Sequence, residues 1–125
     1  MVKTKVLLAD NSVFVRILLA NGLGTLGFEV VAVAGNGREA LDMYARYRPD
    51  IALIDLKLDD AGGIEVIRAL VKNYPLAVVA LMVPESMDDP EVIVEAIRAG
   101  ARAYIRKPSS GEEMKKRLVS LAGRG

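Results

Sequence analysis

The chain contains neither cysteine nor histidine. Those absences remove disulfides, thiol nucleophiles, imidazole bases and the usual zinc ligands, so any chemistry has to rest on carboxylates, lysines, hydroxyls and backbone groups. Long hydrophobic runs are missing as well. The longest, Leu76 to Val83, is too short to cross a bilayer, and Met1-Val2-Lys3-Thr4-Lys5 leads straight into a strand with no signal-peptide pattern. A cytoplasmic protein without membrane insertion is expected. Nor is there a strong net charge, which stands at +1. The charge is unevenly spread: from Arg98 onward eight Lys and Arg meet only Glu112 and Glu113, a balance of +6 that leaves −5 for residues 1–97. Such a segment is either a solvated basic face or a docking surface for an acidic partner. Beyond Tyr104 the basic residues have no aromatic interleaving, which argues against nucleic acid.

What the chain does have is apolar residues, 52% of 125. That is enough for a substantial core in one domain, residues 1–125, with no room for a second module. No internal repeat or low-complexity segment is present. Ile51-Ala52-Leu53-Ile54 reads as a strand buried on both faces that ends in Asp55, and Val6-Leu7-Leu8-Ala9 ends in the same way at Asp10.

The remaining elements fall into line around these two. Lys5 to Ala9 is strand one. Ser12 caps a helix in which Phe14, Ile17 and Leu18 share a face and which ends in the Gly22 to Gly27 region. Glu29 to Ala34 is strand two, Gly35-Asn36-Gly37 a turn, and helix two turns Ala40, Leu41 and Tyr44 inward until Arg48-Pro49-Asp50 stops it. After strand three, Asp59-Asp60-Ala61-Gly62-Gly63 leads into a helix with Ile64, Ile67, Leu70 and Val71 as its buried stripe, ended by Pro75. Strand four is Ala77 to Val83, with Pro84 just beyond it. Asp89-Pro90 starts helix four and Gly100 closes it. Strand five is Ala103 to Arg106. Ser110-Gly111-Glu112-Glu113 has capping-box spacing before a last helix with Met114, Leu118 and Leu121 inward. Strict strand-helix alternation without a hairpin signal predicts an α/β fold with a doubly wound, five-stranded parallel sheet.

In such a sheet the carboxyl ends of the strands share one edge, with neighbouring strands about 4.8 Å apart, so Asp10 and Asp55 should converge in an acidic pocket. Asp10 by itself is also what an N-cap looks like. Asp55 is more telling, because Leu56-Lys57-Leu58 does not read as a helix start in need of a cap. Two carboxylates suit Mg²⁺, which takes one or two of them, keeps several waters and accepts phosphoryl oxygens. Lys107, at the end of strand five, is either an ordinary surface lysine or a point charge able to hold a phosphoryl oxygen or pair with Asp55.

These residues carry a resemblance. The pieces are Val6-Leu7-Leu8-Ala9-Asp10-Asn11-Ser12 with Arg16, Asn36-Gly37-Arg38-Glu39-Ala40-Leu41, Arg48-Pro49-Asp50-Ile51, Asp55 with Gly63-Ile64, Ala99-Gly100-Ala101, and Tyr104-Ile105-Arg106-Lys107-Pro108. In this order and spacing the chain resembles the receiver domain of two-component response regulators, in its single-domain form. The resemblance implies a flavodoxin-like fold of strand order 2-1-3-4-5. It further implies Asp55 as phosphoacceptor, Asp10 and the Lys57 backbone carbonyl at a Mg²⁺ site, Lys107 as the phosphoryl-binding lysine, and Tyr104 as the aromatic that changes rotamer on activation. A cis Lys107-Pro108 bond is implied too. The partners it implies are a sensor histidine kinase or phosphotransfer protein and a downstream effector, the latter docking on a face with Arg98, Arg102, Arg106, Lys115 and Lys116 as candidates. Without a histidine the chain cannot itself be the phosphohistidine donor.

Three departures from that family's pattern bear on the switch. Asn11 stands where a second acid is usual, which predicts weak Mg²⁺ affinity. Asp59 stands where a proline is usual, which should leave the loop after Asp55 more mobile. The Ser or Thr expected at the end of strand four is missing; its slot falls at Val83 or Pro84, neither has a hydroxyl, and Ser86 is the nearest. Phosphorylation would then be poorly transmitted to Tyr104. Two other readings compete. Gly35-Asn36-Gly37-Arg38-Glu39-Ala40 fits G-x-G-x-x-A with an acid twenty residues on, but a dinucleotide site of that kind follows the first strand of a larger fold. An aspartyl-nucleophile phosphatase needs a second Asp two residues after the first, where Lys57 stands; a P-loop is absent. An enzyme is therefore not expected, and the alternative to a phosphorylatable receiver is a pseudo-receiver that binds proteins without being switched.

Overall fold

Apolar residues that follow one another without alternation must be covered on both sides, and the strands built from them here lie in the middle of the molecule. The computed structural model describes residues 2–107 and 111–123. Its strands are β1 (Lys5–Ala9), β2 (Glu29–Ala34), β3 (Ile51–Asp55), β4 (Val79–Pro84) and β5 (Ala103–Lys107), all parallel and in the order β2-β1-β3-β4-β5. Between and after them run α1 (Val13–Thr25), α2 (Gly37–Tyr47), α3 (Gly63–Asn73), α4 (Pro90–Ala99) and α5 (Gly111–Gly123). Successive strand residues point to opposite faces. Leu7, Ala9, Ala52, Ile54, Leu81 and Val83 meet α2, α3 and α4 on one side. Val6, Leu8, Ile51, Leu53, Ala80 and Met82 meet Leu23 of α1 and Met114 and Leu118 of α5 on the other. Each fully buried Leu or Ile in these layers contributes about 1.5–3 kcal/mol.

The helix starts at Ser12 and Asp89 follow the predicted chemistry, and Asn36, read as part of a turn, caps α2 in the same way. Ser12, Asn36 and Asp89 each accept a first-turn N–H, from Val15, Glu39 and Glu91 respectively. Gly100 ends α4 at φ 116°, and a side chain there would also meet Val71 at 2.7 Å. The expected cap at Ser110 and the cis Lys107-Pro108 bond fall outside the described residues.

Three expectations need correction. On α1, Phe14, Ile17 and Leu18 share a face, but it is the solvent face, with exposures of 70%, 56% and 55%. Leu23 is buried instead, with Leu19 packed beside it. The segment from Val13 to Ala20 is apolar almost all round, so periodicity cannot choose a side. The rotation is set by the Ser12 cap and by Arg16, whose Nη1 donates to the Asp10 carbonyl at 2.6 Å. β4 starts at Val79 because the Ala77 N–H is spent in a turn on the Tyr74 carbonyl, and it ends at Pro84 rather than Val83. β5 runs one residue further, to Lys107, which pairs with Pro84.

The chain leaves β1 for β2 on one side and later returns past β1 to β3 on the other. The point where the order reverses lies between β1 and β3, and the crevice outside their carboxyl ends is where open α/β sheets place a ligand.

Candidate functional site

β1 and β3 are neighbours with Ala9 level with Ile54, so Asp10 and Asp55, the next residue on each strand, come out side by side at that crevice. Both are buried, Asp10 completely and Asp55 with 6% of its surface exposed. Lys107, at the end of β5, reaches across to them. Its Nζ lies 2.6 Å from Asp10 Oδ2 and 3.1 Å from Asp55 Oδ1. The three side chains that the sequence places at strand ends therefore form one bridged cluster.

Two carboxylates share one ammonium, so the pocket keeps an excess negative charge. Burial raises the Asp55 carboxyl above its ordinary value; Lys107 opposes this and the neighbouring Asp10 charge adds to it. The burial effect is the largest of these, and the net shift is upward. For Lys107 burial acts to lower the value, but hydrogen bonds to Asp10 and Asp55 and their charges outweigh it, and the net shift is upward.

The backbone around the pocket is closely held. Asp10 Oδ1 accepts the Ser12 N–H at 3.0 Å, and the Arg16 guanidinium on the Asp10 carbonyl passes so close to Gly35 that a Cβ there would lie 2.9 Å from Nη1. After Asp55 the chain turns sharply: Gly63 N–H donates to the Leu56 carbonyl at 2.7 Å, and a Cβ at Gly63 would fall 2.0 Å from the Asp55 carbonyl oxygen. Only glycine permits α3 to start there. Within the loop, Leu58 N–H bonds the Ala61 carbonyl and Lys57 bridges Gly62. The same loop carries a tie that sequence reasoning missed. Asp60 accepts N–H groups of Gly37 and Arg38 on α2; nothing in the spacing of residues so far apart announces it.

Among the described residues no group of three or more acidic side chains forms a metal site. A small hard cation needs fewer: one or two carboxylates and some carbonyl or water oxygens. Asp10 and Asp55 offer the two carboxylates, and the excess negative charge of this buried pair over the one Lys107 ammonium favours a cation. The residues present fit Mg²⁺. Asn11 is exposed at the rim.

The other predicted residues sit apart from this cluster. Val83 is fully buried in the core, whereas Pro84 is exposed and level with Lys107, so of the two only Pro84 opens toward the pocket. Ser86 is exposed on the loop beyond. Tyr104 is half-buried between two guanidiniums, Arg117 at 5.4 Å and Arg106 at 5.9 Å from its ring centroid. Arg106 also donates to the carbonyls of Glu85 and Met87, hooking the β4–α4 loop to β5. Arg98, Arg102, Lys115 and Lys116 are exposed. Arg102 and Lys116 share their groove with Glu112 and Glu113, so that part of the face is mixed in charge rather than uniformly basic. No helix among the described residues is long and apolar enough to cross a membrane.

Strand order and pocket together define a flavodoxin-like α/β domain with an acid, acid and lysine cluster at its switch point. The sequence model of the response regulator receiver domain matches residues 6–119, and the chain belongs to that family. It is similar to the chemotaxis protein CheY of Thermotoga maritima, 36% identical over 104 residues that cover 83% of this chain and 85% of that one. The CheY of Listeria monocytogenes is 31% identical over 118 residues, 94% of this chain and 98% of its own. Among solved structures, Vibrio cholerae chemotaxis protein CheY4 has a TM-score of 0.87 at 27% identity, covering 96% of this chain and 99% of that one. The chain is thus a CheY-like receiver domain of two-component signalling.

Proposed function

We propose that residues 1–125 act as one receiver domain that accepts a phosphoryl group on Asp55 in a Mg²⁺-dependent reaction and passes the signal to an effector protein. The observation that carries this reading is the Lys107 bridge between two buried carboxylates at the β1/β3 edge. A carboxylate oxygen of Asp55 attacks phosphorus; the new O–P bond forms as the P–N bond of a phosphohistidine breaks, and the departing imidazole takes up a proton. The phosphohistidine comes from a sensor histidine kinase or phosphotransfer protein, since this chain has no histidine. Lys107 is already within reach of Asp55 and can shift one ammonium N–H to a phosphoryl oxygen. Mg²⁺ would be held by Asp10, Asp55 and the Lys57 carbonyl, with Asn11 as a weak neutral neighbour, and would neutralise charge developing on the transferred oxygens. The pseudo-receiver alternative is not favoured, because Asp10, Asp55 and Lys107 are all present and joined.

For the effector we assign the face of α4, β5 and α5, through Arg98, Arg102, Arg106, Lys115 and Lys116, with Tyr104 and Pro84 between it and the pocket. Intact mass after incubation with Mg²⁺ and acetyl phosphate tests the chemistry. One added phosphoryl group is expected, lost with chelator and lost in Asp55→Asn; an undiminished gain in Asp55→Asn overturns the assignment.

A further inference from the structure

The loop from Lys57 to Gly62 carries the backbone carbonyl assigned above to the metal, so whatever holds this loop holds the metal site. Within the β3–α3 unit its hydrogen bonds run from the Leu58 N–H to the Ala61 carbonyl, from the Gly62 N–H to Glu65 Oε1 and from the Val66 N–H to the Gly62 carbonyl, with Lys57 and Gly62 facing each other in an isolated antiparallel bridge. Among the described residues, the hydrogen bonds joining this loop to an element outside the β3–α3 unit are those accepted by Asp60. Its Oδ1 takes the Gly37 N–H at 2.7 Å and its Oδ2 the Arg38 N–H at 3.1 Å.

The fit is specific to a carboxylate. The first N–H groups of a helix have no intrahelical partner, and Gly37 and Arg38 are the first two residues of α2. Asn36 supplies the acceptor for Glu39, one residue further on. Gly37 is buried, so water is a poor substitute for its partner, and a buried N–H left without one is costly. A carboxylate has an acceptor for each N–H, its bonds are charge-assisted, and its charge sits at the positive end of the α2 dipole. Asparagine has one carbonyl oxygen and would turn an amide N–H on the other donor. The α2 end is pressed onto the loop itself: a Cβ at Gly37 would lie 3.2 Å from Asp60 Oδ1, 3.5 Å from the Ala61 Cβ and 2.8 Å from Val66.

We propose that Asp60 is a positioning residue for the metal site: by chelating the first two N–H groups of α2 it orders the loop that presents the Lys57 carbonyl. This rests on the proposed phosphoacceptor chemistry for its purpose, but not for its measurement. The same two N–H groups hold the Asp60 carboxyl below the usual carboxylate range, so the clamp is charged at any neutral pH.

The test is a Mg²⁺ titration of the full chain followed by backbone amide shifts, on wild type, Asp60→Ala and Asp60→Asn, beside amide hydrogen exchange and thermal midpoints. Loss of an outer ligand support weakens metal binding by about tenfold or more, and that is expected for Asp60→Ala, with a smaller loss for Asp60→Asn, which keeps one acceptor and the side-chain shape. Exchange at the Gly37 and Arg38 amides should quicken in both. With acetyl phosphate, the Mg²⁺ concentration for half-maximal rate should rise while the rate at saturating Mg²⁺ stays near wild type. A purely structural role would lower the midpoint and leave the metal affinity alone. Both variants binding Mg²⁺ as wild type does, or wild type not binding it at all, overturns the proposal. Wild type that binds Mg²⁺ but gains no phosphoryl group overturns the phosphoacceptor reading instead, and leaves the Asp60 comparison standing.

Discussion

The carboxyl edge of the sheet has two halves that are held in different ways. On the β1–β3 side the groups are buried, charged and bonded to one another, with Lys107 between Asp10 and Asp55. On the β4–β5 side the corresponding position is Pro84, exposed, with no side-chain donor and no backbone N–H. There the loop is hooked by Arg106 through carbonyls of Glu85 and Met87, and Tyr104 lies between Arg106 and Arg117. One half thus holds a bridged cluster of charged side chains, while the strand end on the other half offers a phosphoryl oxygen no donor of its own. On the proposed function, chemistry and transmission would rest on separate residues, so that one could be altered without the other.

The largest effect should come from removing the bridge. Lys107→Met leaves two buried carboxylates facing each other, and breaking one partner out of a buried ion cluster costs roughly 3 kcal/mol. Denaturant unfolding without metal should show that loss, and added Mg²⁺ should recover part of it, because a ligand that binds only the folded state stabilises it. A variant as stable as wild type would mean that the cluster is not held by its lysine.

Next comes the attempt to mend the other half. In wild type with Mg²⁺ and beryllofluoride, amide shifts should stay near Asp10, Asp55 and Lys107. In Pro84→Thr they should extend to Tyr104 and Lys116, with a coupling of about 1–3 kcal/mol restored between pocket and face. Shifts that already reach Tyr104 in wild type would break the contrast and make the Arg106 hook the transmitter.

A smaller effect is expected from Asp55 itself. Its raised value means that the folded protein binds this proton more tightly than the unfolded chain does, so metal-free stability should fall as pH rises from about 4 through the folded value. Asp55→Asn should abolish that fall and be more stable than wild type at pH 7 by about 1 kcal/mol, since it removes the excess buried charge while Lys107 keeps its shorter contact to Asp10. Parallel unfolding curves for the two proteins from pH 4 to pH 7 would contradict it. Smallest of all is Asn11→Asp. The side chain is exposed, so the added carboxylate is screened by water and should tighten Mg²⁺ binding by about 0.5 kcal/mol at low salt.

The spans of β1, β2 and β3, the caps at Ser12 and Asp89, and the convergence of Asp10 and Asp55 were legible in the sequence. Each follows from local pattern plus one rule, that parallel strands bring their carboxyl ends to a common edge. Only the tertiary structure decided the rest. An all-apolar segment does not say which side of α1 faces in; Arg16 on the Asp10 carbonyl does. Spacing left Val83 and Pro84 undistinguished, and it is the pairing with β5 that sets Pro84 level with Lys107 while Val83 is buried. The clamp from Asp60 to Gly37 and the hook from Arg106 to Glu85 join residues with no periodic relation, across 23 and 21 positions. Such contacts arise because buried or crowded backbone groups left over by one element must find a partner on another, and which partner is nearest is settled by the packing of the sheet and its helices.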